Sequence, residues 1–258
     1  MMSFILELLQ KVKVWAHRLL LEKGVSVPRV LVNGDQNNVL GRSYLVTSEI
    51  AGAPYQKEGI KNPEVIFEAG KQLALINSIP VRNFGWIDNT DPDPKEFVGD
   101  CSTYEEFALD QEEIEKMLRE LIDLGKIDGG LERKYLKYVR EKSGSFEPGS
   151  PCLSHGDFDP SHIYSKEGKY QGIIDFGDIR CTSIYHDLAH FFVYVRKDFP
   201  TLLAGYETVT DLGPNYLDRI HFVATIFGLR KFWWTAKSIP DRANKDHPAF
   251  GLFRSVLS

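Results

Sequence analysis

"SHGDFDPSHIY", residues 154–164, sets two histidines, two aspartates and a proline into one short segment, and "GIIDFGD" follows at residues 172–178. A stretch of this kind is open to three readings: a metal centre, a catalytic loop, or a polar turn between strands. The chain between the two segments narrows the choice. "HIYS" and "YQGIIDF" read as two short strands joined by a turn containing Gly168. A hairpin brings Asp175 back beside the segment that holds Asp157. Two carboxylates aimed at one spot repel each other unless a cation or a proton lies between them. Mg²⁺ suits such a place, because it is a hard cation held by a few protein oxygens together with substrate phosphates.

The pattern fits phosphoryl transfer. In that chemistry one Asp accepts the proton of the attacking hydroxyl, and a second Asp, on a D-F-G turn, holds the metal that bridges the phosphates. His155-Gly156-Asp157-Phe158 followed by Asp175-Phe176-Gly177 approximates the ordered H-R-D and D-F-G motifs of protein kinases. A lone D-F-G carries little information, whereas the two motifs in order around a hairpin form a fairly specific signal.

The remaining chain supplies the frame. Ile5, Leu8, Val12, Trp15 and Leu19 recur at helical steps, with Lys11 and Arg18 opposite, and Gly24 ends the helix. "VSVPRVLVN" and "RSYLVTSEI" read as strands, separated by a turn at "NGDQNN", and "AGAP" breaks the second. "NPEVIFEAGKQLALINS" is a helix with Asn62 as its cap, Pro63 in its first turn, and an apolar stripe of Ile66, Ala69, Leu73 and Ile76. "STYEEFALDQEEIEKMLRELIDLG" reads as a single helix, opened by a capping box of Ser102 with Glu105 and closed at Gly125. "GGLERKYLKYVREKSG" is a third helix, and helices at "HDLAHFFVYVRKDF" and "PNYLDRIHFVATIFGLRKFWWTAK" follow the hairpin. A small strand-bearing piece followed by helices with one inserted hairpin is an α+β pattern with two unequal lobes. The expected division is residues 1–52 as a partial N-terminal lobe with its hinge, and 53–258 as a helical C-terminal lobe carrying the catalytic loop and metal-binding hairpin.

With those residues in view, the chain resembles the aminoglycoside phosphotransferase and choline kinase-like group, small-molecule kinases with a protein-kinase-like fold. "HGDFDP" looks like the catalytic loop of that family, and "GIIDFGDIRCTSIYHDLAHF" like its metal-binding strand and the helix behind it. "KQLALINSIPVRNFGW" is similar to its leucine-rich helix and Phe-Gly turn, and "LVTSEIAGAP" to the strand and hinge between its lobes. The resemblance implies Asp157 as catalytic base, Asp175 as Mg²⁺ ligand, and Asp187 as a brace beneath the catalytic loop. It implies that the backbone of Ser48, Glu49 and Ile50 faces the purine of ATP or GTP. The family's Asn, five residues beyond the catalytic Asp, is His162 here, as it is in a subset similar to the aminoglycoside 2″-phosphotransferases. His162 is therefore a second candidate metal ligand, although imidazole suits Mg²⁺ less well than oxygen does. A Gly-rich phosphate loop and a strand Lys are expected ahead of the first helix and are not found there; Lys11 and Lys13 fall within the helical pattern, and the register of Glu7 does not suit it as the Lys partner. The first strands of the N-terminal lobe are thus expected to be lacking.

The other residues admit two readings each. Asp178 and Asp159 flank the loop as candidate contacts to a cationic amine of the acceptor, or as turn caps. His155 is expected to be structural. Phe222, Phe227, Phe232, Trp233 and Trp234 are expected to form core and groove wall. The expected activity is transfer of a nucleoside triphosphate's terminal phosphate to a hydroxyl of a small molecule, such as an aminoglycoside or related amine. A non-catalytic kinase-like binder is the alternative within the fold. A metal-dependent hydrolase built on His155, Asp157, His162, Asp175, His186 and His190 is the alternative outside it.

Composition is consistent with this frame. A length of 258 residues at 43% hydrophobic content is enough to bury a sizeable core. A formal net charge of −5 argues against a nucleic-acid partner. Cys101, Cys152 and Cys181 are widely spaced without a CxxC pair, which argues against a disulfide framework or a cysteine zinc site and for a reducing compartment. No membrane partner is expected, since no run approaches the roughly 18 apolar residues of a span. The amino-terminal segment, interrupted by Glu7 and Lys11, does not read as a signal peptide, and the expected location is cytoplasmic.

Overall fold

The computed structural model describes residues 2–34, 43–87 and 95–255, and the side chains of all of these except 2–10 and 255. The chain begins with α1 (Met2–Glu22), then β1 (Val30–Gly34), β2 (Tyr44–Thr47) and β3 (Ala53–Pro54). The helix α2 (Pro63–Asn77), the strands β4 (Phe84–Ile87) and β5 (Gly99–Cys101), and the helices α3 (Tyr104–Ala108), α4 (Gln111–Asp123) and α5 (Gly129–Ser143) follow. Next come β6 (Cys152–Ser154), the hairpin β7 (Ile163–Lys166) and β8 (Lys169–Ile173), and β9 (Arg180–Thr182). Four helices close the chain: α6 (Tyr185–Tyr194), α7 (Phe199–Tyr206), α8 (Tyr216–Ser238) and α9 (Pro248–Ser255). The architecture is α+β and two-lobed, with a small strand-bearing N-terminal lobe and a mostly helical C-terminal lobe. Among the described residues no strand precedes α1.

Side-chain caps start α2, α3, α4 and α5. The Asn62 side chain accepts from the Glu64 N–H at the start of α2, and Ile66, Ala69, Leu73 and Ile76 are all buried along one face. In α1 the buried positions are Val12, Val14, Ala16, His17 and Leu20, with Trp15 and Leu19 packed against the core. The expected contacts of Ile5 and Leu8 and the register of Glu7 lie outside the described side chains, as most of the "NGDQNN" turn lies outside the described residues.

Four expectations need correction. The segment read as one helix from Ser102 is two, because Asp110 caps afresh by accepting from the Glu113 N–H. The capping box belongs to Thr103 and Glu106 rather than Ser102 and Glu105, since one residue's shift satisfies the same spacing. The strand read from Val25 begins at Val30: Val25 and Val27 are buried in the core, and Pro28 has no N–H to give a ladder. "AGAP" is more than a break, for Ala53 and Pro54 pair with Ser165 and Tyr164 of the hairpin.

Two sheets position the site. One has the order β3-β7-β8; the other, β5-β4-β9-β6, is drawn from three distant parts of the chain. Register in the second places Arg180 between Ser154 and Trp86. The β7–β8 turn uses Glu167 and Gly168 at φ 53° and 72°, the left-handed pair that suits a two-residue hairpin. Beneath the sheets, α2 and α7 cross at close range through two glycines. A Cβ on Gly70 would lie 2.0 Å from the Leu202 carbonyl oxygen, and one on Gly205 would lie 1.9 Å from that of Phe67.

This crossing yields a test. Gly205→Ala forces the two backbones apart and should lower unfolding stability by about 1–3 kcal/mol, the usual cost of overpacking. Urea denaturation measures it, and an unchanged midpoint would contradict the close approach.

Candidate active site

The site grows from one buried carboxylate. Asp187, on the first turn of α6, is fully buried. Its two oxygens accept the backbone N–H groups of His155 and Gly156, each at 2.8 Å. Asn77 of α2 stands 3.4 Å from the same carboxylate; its amide also donates to the Leu153 carbonyl at 2.9 Å, and its oxygen accepts from the Tyr206 hydroxyl at 3.0 Å. A buried charge is tolerated when hydrogen bonds saturate it. Here saturation fixes the loop's entry to α2, α6 and α7 at once. Gly156 has φ +84°, and a Cβ there would meet the Asp178 carbonyl oxygen at 2.0 Å, so the turn requires glycine.

The loop histidines have assignable tautomers. His155 Nδ1 accepts from the Asp157 N–H at 3.3 Å, so Nε2 carries the proton and donates to the Ile174 carbonyl at 2.9 Å. Burial lowers its pKa and keeps the ring neutral. His162 Nδ1 faces the Asp157 carbonyl at 2.7 Å and must donate to it. In the neutral ring Nε2 then offers a lone pair, and it lies 3.6 Å from Asp175 Oδ2. Hairpin register produces this meeting: the Ile174 N–H bonds the His162 carbonyl at 3.0 Å, and Asp175 is the next residue. Asp175 adopts a left-handed conformation, φ 66° and ψ 63°. Its side chain is 60% exposed, whereas that of His162 is 14% exposed.

Asp157 has partners on the other side. Lys231 of α8 donates to its Oδ1 at 3.2 Å, and His190 Nε2 stands 3.4 Å from the same atom. Neither ring nitrogen of His190 has a hydrogen-bond partner among the described residues. Burial, reinforced by Lys231, drives its pKa well below the imidazole range, so it is neutral. Asp157, Asp159 and His190 bring ligand atoms within 4.8 Å of one another. An ammonium already bonded to Asp157 competes with a divalent cation there, and Asp159 Oδ1 accepts the Ser161 N–H at 2.6 Å. Asp178 is 3.5 Å from the Arg180 guanidinium. Of the six residues considered for a hydrolase, only Asp157 and His190 share a candidate cation cluster among the described residues.

Two cavities flank the loop. The first, about 570 Å³, is lined by Ser48, Glu49, Ile50, Lys13, His17 and the turn Asp175 to Gly177. His17 Nδ1 donates to the Pro28 carbonyl at 2.8 Å, and its ring stands 5.3 Å from Phe176, which packs 4.8 Å from His155 on its other side. The second, about 490 Å³, is walled by aromatic rings and includes Gly156, Asp178, Arg180, His186, Arg230 and Lys231. Burial, with Arg180 close by, holds His186 down to about 3, so it is neutral. Sequence reasoning missed Lys231, Lys13 and the Arg180–Trp86 stack, 4.1 Å from guanidinium to ring centroid. The adjacent Arg230 and Lys231 within an apolar, aromatic helix are the signal that was available. Lys13 has none, since its place depends on how α1 packs.

Comparison with known proteins shows the family and the fold. Residues 11–220 match the model of a family described as a phosphotransferase enzyme family. Hydroxylysine kinase of Danio rerio is 22% identical over 186 residues, 63% of this chain; the match spans 46% of that relative's length. An aminoglycoside phosphotransferase APH(4)-Ia variant, solved as a ternary complex with AMP-PNP and hygromycin B, is 14% identical at TM-score 0.65, covering 94% of this chain and 80% of that one. A fructosamine-3-kinase-like protein of Thermobifida fusca is 21% identical at TM-score 0.64, covering 94% and 79% respectively. At these identities the two structures speak to the fold. No helix among the described residues is long and apolar enough to cross a membrane.

Asp187→Asn is the sharpest local test. The amide has only one acceptor oxygen, so one of the two N–H groups at the loop loses its partner inside the protein. Leaving a buried group unsatisfied costs about 1–3 kcal/mol, more where a charge was involved. A stability loss of at least about 2 kcal/mol by denaturant titration is expected; a neutral substitution would show that the carboxylate does not anchor the loop.

Proposed function

Because the chain belongs to the phosphotransferase enzyme family, we propose that it moves the terminal phosphate of ATP or GTP to a hydroxyl of a small molecule. The observation that carries this reading is the turn at residues 175–178. Asp175, Phe176 and Gly177 line one cavity and Asp178 lines the other, so a single turn separates a nucleotide site from an acceptor site. In this reading the purine lies against the backbone of Ser48, Glu49 and Ile50, and the phosphates point toward Asp175. The acceptor enters from the aromatic side and presents its hydroxyl to Asp157.

Asp157 takes the hydroxyl proton as the acceptor oxygen bonds to the terminal phosphorus. The bond between that phosphorus and the nucleoside diphosphate oxygen breaks. Lys231 orients the carboxylate through its 3.2 Å contact and offsets its charge. Such catalysis is mostly positioning and charge compensation. The residues suit Mg²⁺: the His162 lone pair and an exposed Asp175 oxygen are 3.6 Å apart, with open positions left for phosphate and water oxygens. When bound, the metal supplies charge neutralisation to the phosphates. On the nucleotide side, Lys13 shares the cavity wall with Asp175 and contributes a cation from a helix, where the family resemblance led to a strand position.

Asp157→Asn should keep the fold and nucleotide affinity while lowering turnover, read as nucleoside diphosphate formed with a panel of hydroxyl acceptors, by about 10²–10⁴. Turnover within about tenfold of wild type would sink the assignment of the base. Lys13→Ala should weaken nucleotide binding by about tenfold or more, the scale of one lost charge-assisted contact. Calorimetry with a non-hydrolysable triphosphate decides this, and unchanged affinity would remove Lys13 from the site.

A further inference from the structure

The aromatic cavity restricts the acceptor more than the reaction does. Six aromatic residues line it: Trp86, Tyr104, Phe107, Phe227, Trp233 and Trp234. Trp86 and Trp234 are 49% and 54% exposed, which leaves two large ring faces open to a ligand. Arg180, Arg230 and Lys231 also line it, against one carboxylate, Asp178. That carboxylate is held by Arg180 at 3.5 Å. Lys231 is bonded to Asp157. Arg230 reaches Glu113 at 2.7 Å through Nη2, the nitrogen that makes all of its hydrogen bonds among the described residues. Its partner Glu113 is 46% exposed, so this pair is weak and open to competition.

We propose that this cavity accepts a hydroxyl compound with a flat apolar body and a carboxylate, and that it discriminates against polycationic acceptors. The inference rests on the phosphotransferase reading for its hydroxyl and on the cavity alone for its charge and shape. A polyamine would bring its charges against three cations and find no uncommitted carboxylate in the lining. A carboxylate meets the free edge of the Arg230 guanidinium, a planar donor fork suited to it. The exposed rings of Trp86 and Trp234 cover the apolar body.

Three probes share a 4-(hydroxymethyl)phenyl skeleton and carry an anionic, a neutral and a cationic para group: 4-(hydroxymethyl)benzoate, 4-(hydroxymethyl)benzamide and 4-(hydroxymethyl)benzylamine. Three of the chain's four tryptophans line the cavity, so quenching of tryptophan fluorescence reports binding without nucleotide. The benzoate should bind at least about tenfold more tightly than the benzamide, the scale of one charge-assisted contact, and the amine should bind weakest. Arg230→Gln should erase the benzoate's advantage and leave benzamide binding unchanged, whereas Trp234→Ala should weaken all three. An amine that binds as tightly as the benzoate, failure of all three to bind, or an advantage that survives both Arg230→Gln and Arg180→Gln would overturn the proposal. Repeating the titration in Asp157→Asn separates the two claims. The binding order should persist there, so loss of phosphotransfer with an intact order concerns the reaction, and a reversed order concerns the pocket.

Discussion

The loop that carries Asp157 takes its observed form because the Asp187 carboxyl group is buried beneath it. A carboxylate without solvent must collect hydrogen bonds, and the donors within reach are the N–H groups of His155 and Gly156. Those two contacts fix the backbone just ahead of Asp157. The left-handed turn at Gly156 and the close approach of Asp178 follow from that anchor. Asn77 and Tyr206 extend the same network into two crossing helices, so the precision of the loop is drawn from the core rather than from the surface.

From this anchor the two sides of the site are coupled by packing. Phe176 contacts both His155 of the Asp157 loop and His17 of α1. A shift of α1 would therefore be felt at the D-F-G turn, and through the His155 contact to Ile174 at the loop itself. The hairpin adds a second constraint. Pairing of Ile174 with His162 places the Asp175 carboxylate beside His162 Nε2, so register alone brings two candidate ligands together.

Much of this was legible in the sequence because the signals are local. The H-G-D and D-F-G segments, the hairpin turn at Gly168, and the Asn62 cap each state their structure within a few residues. What was not legible depends on partners far away in sequence. The strands β4, β5, β6 and β9 are three or four residues long, and they form a sheet only because three distant segments meet. The helix read as continuous from Ser102 breaks before Asp110, leaving the Phe107 and Ala108 carbonyls facing Arg230 of α8. The ion pair of Lys231 with Asp157 spans 74 residues, and no periodicity announces it. The amine-binding roles considered for Asp178 and Asp159 came from charge alone. The structure shows the first beside Arg180, which sequence spacing could not reveal, and the second accepting the Ser161 N–H two residues on, the turn-capping alternative already open in the sequence.

The proposed cation site is Asp175 with His162, and a second candidate cluster lies at Asp157, Asp159 and His190. Calorimetric titration of AMP-PNP, with and without Mg²⁺, into the wild-type chain, Asp175→Ala and Asp159→Ala separates the two. Mg²⁺ should strengthen binding in the wild type and in Asp159→Ala, and this gain should vanish in Asp175→Ala. Retention of the gain in Asp175→Ala with its loss in Asp159→Ala would contradict this assignment and move the metal to the other cluster.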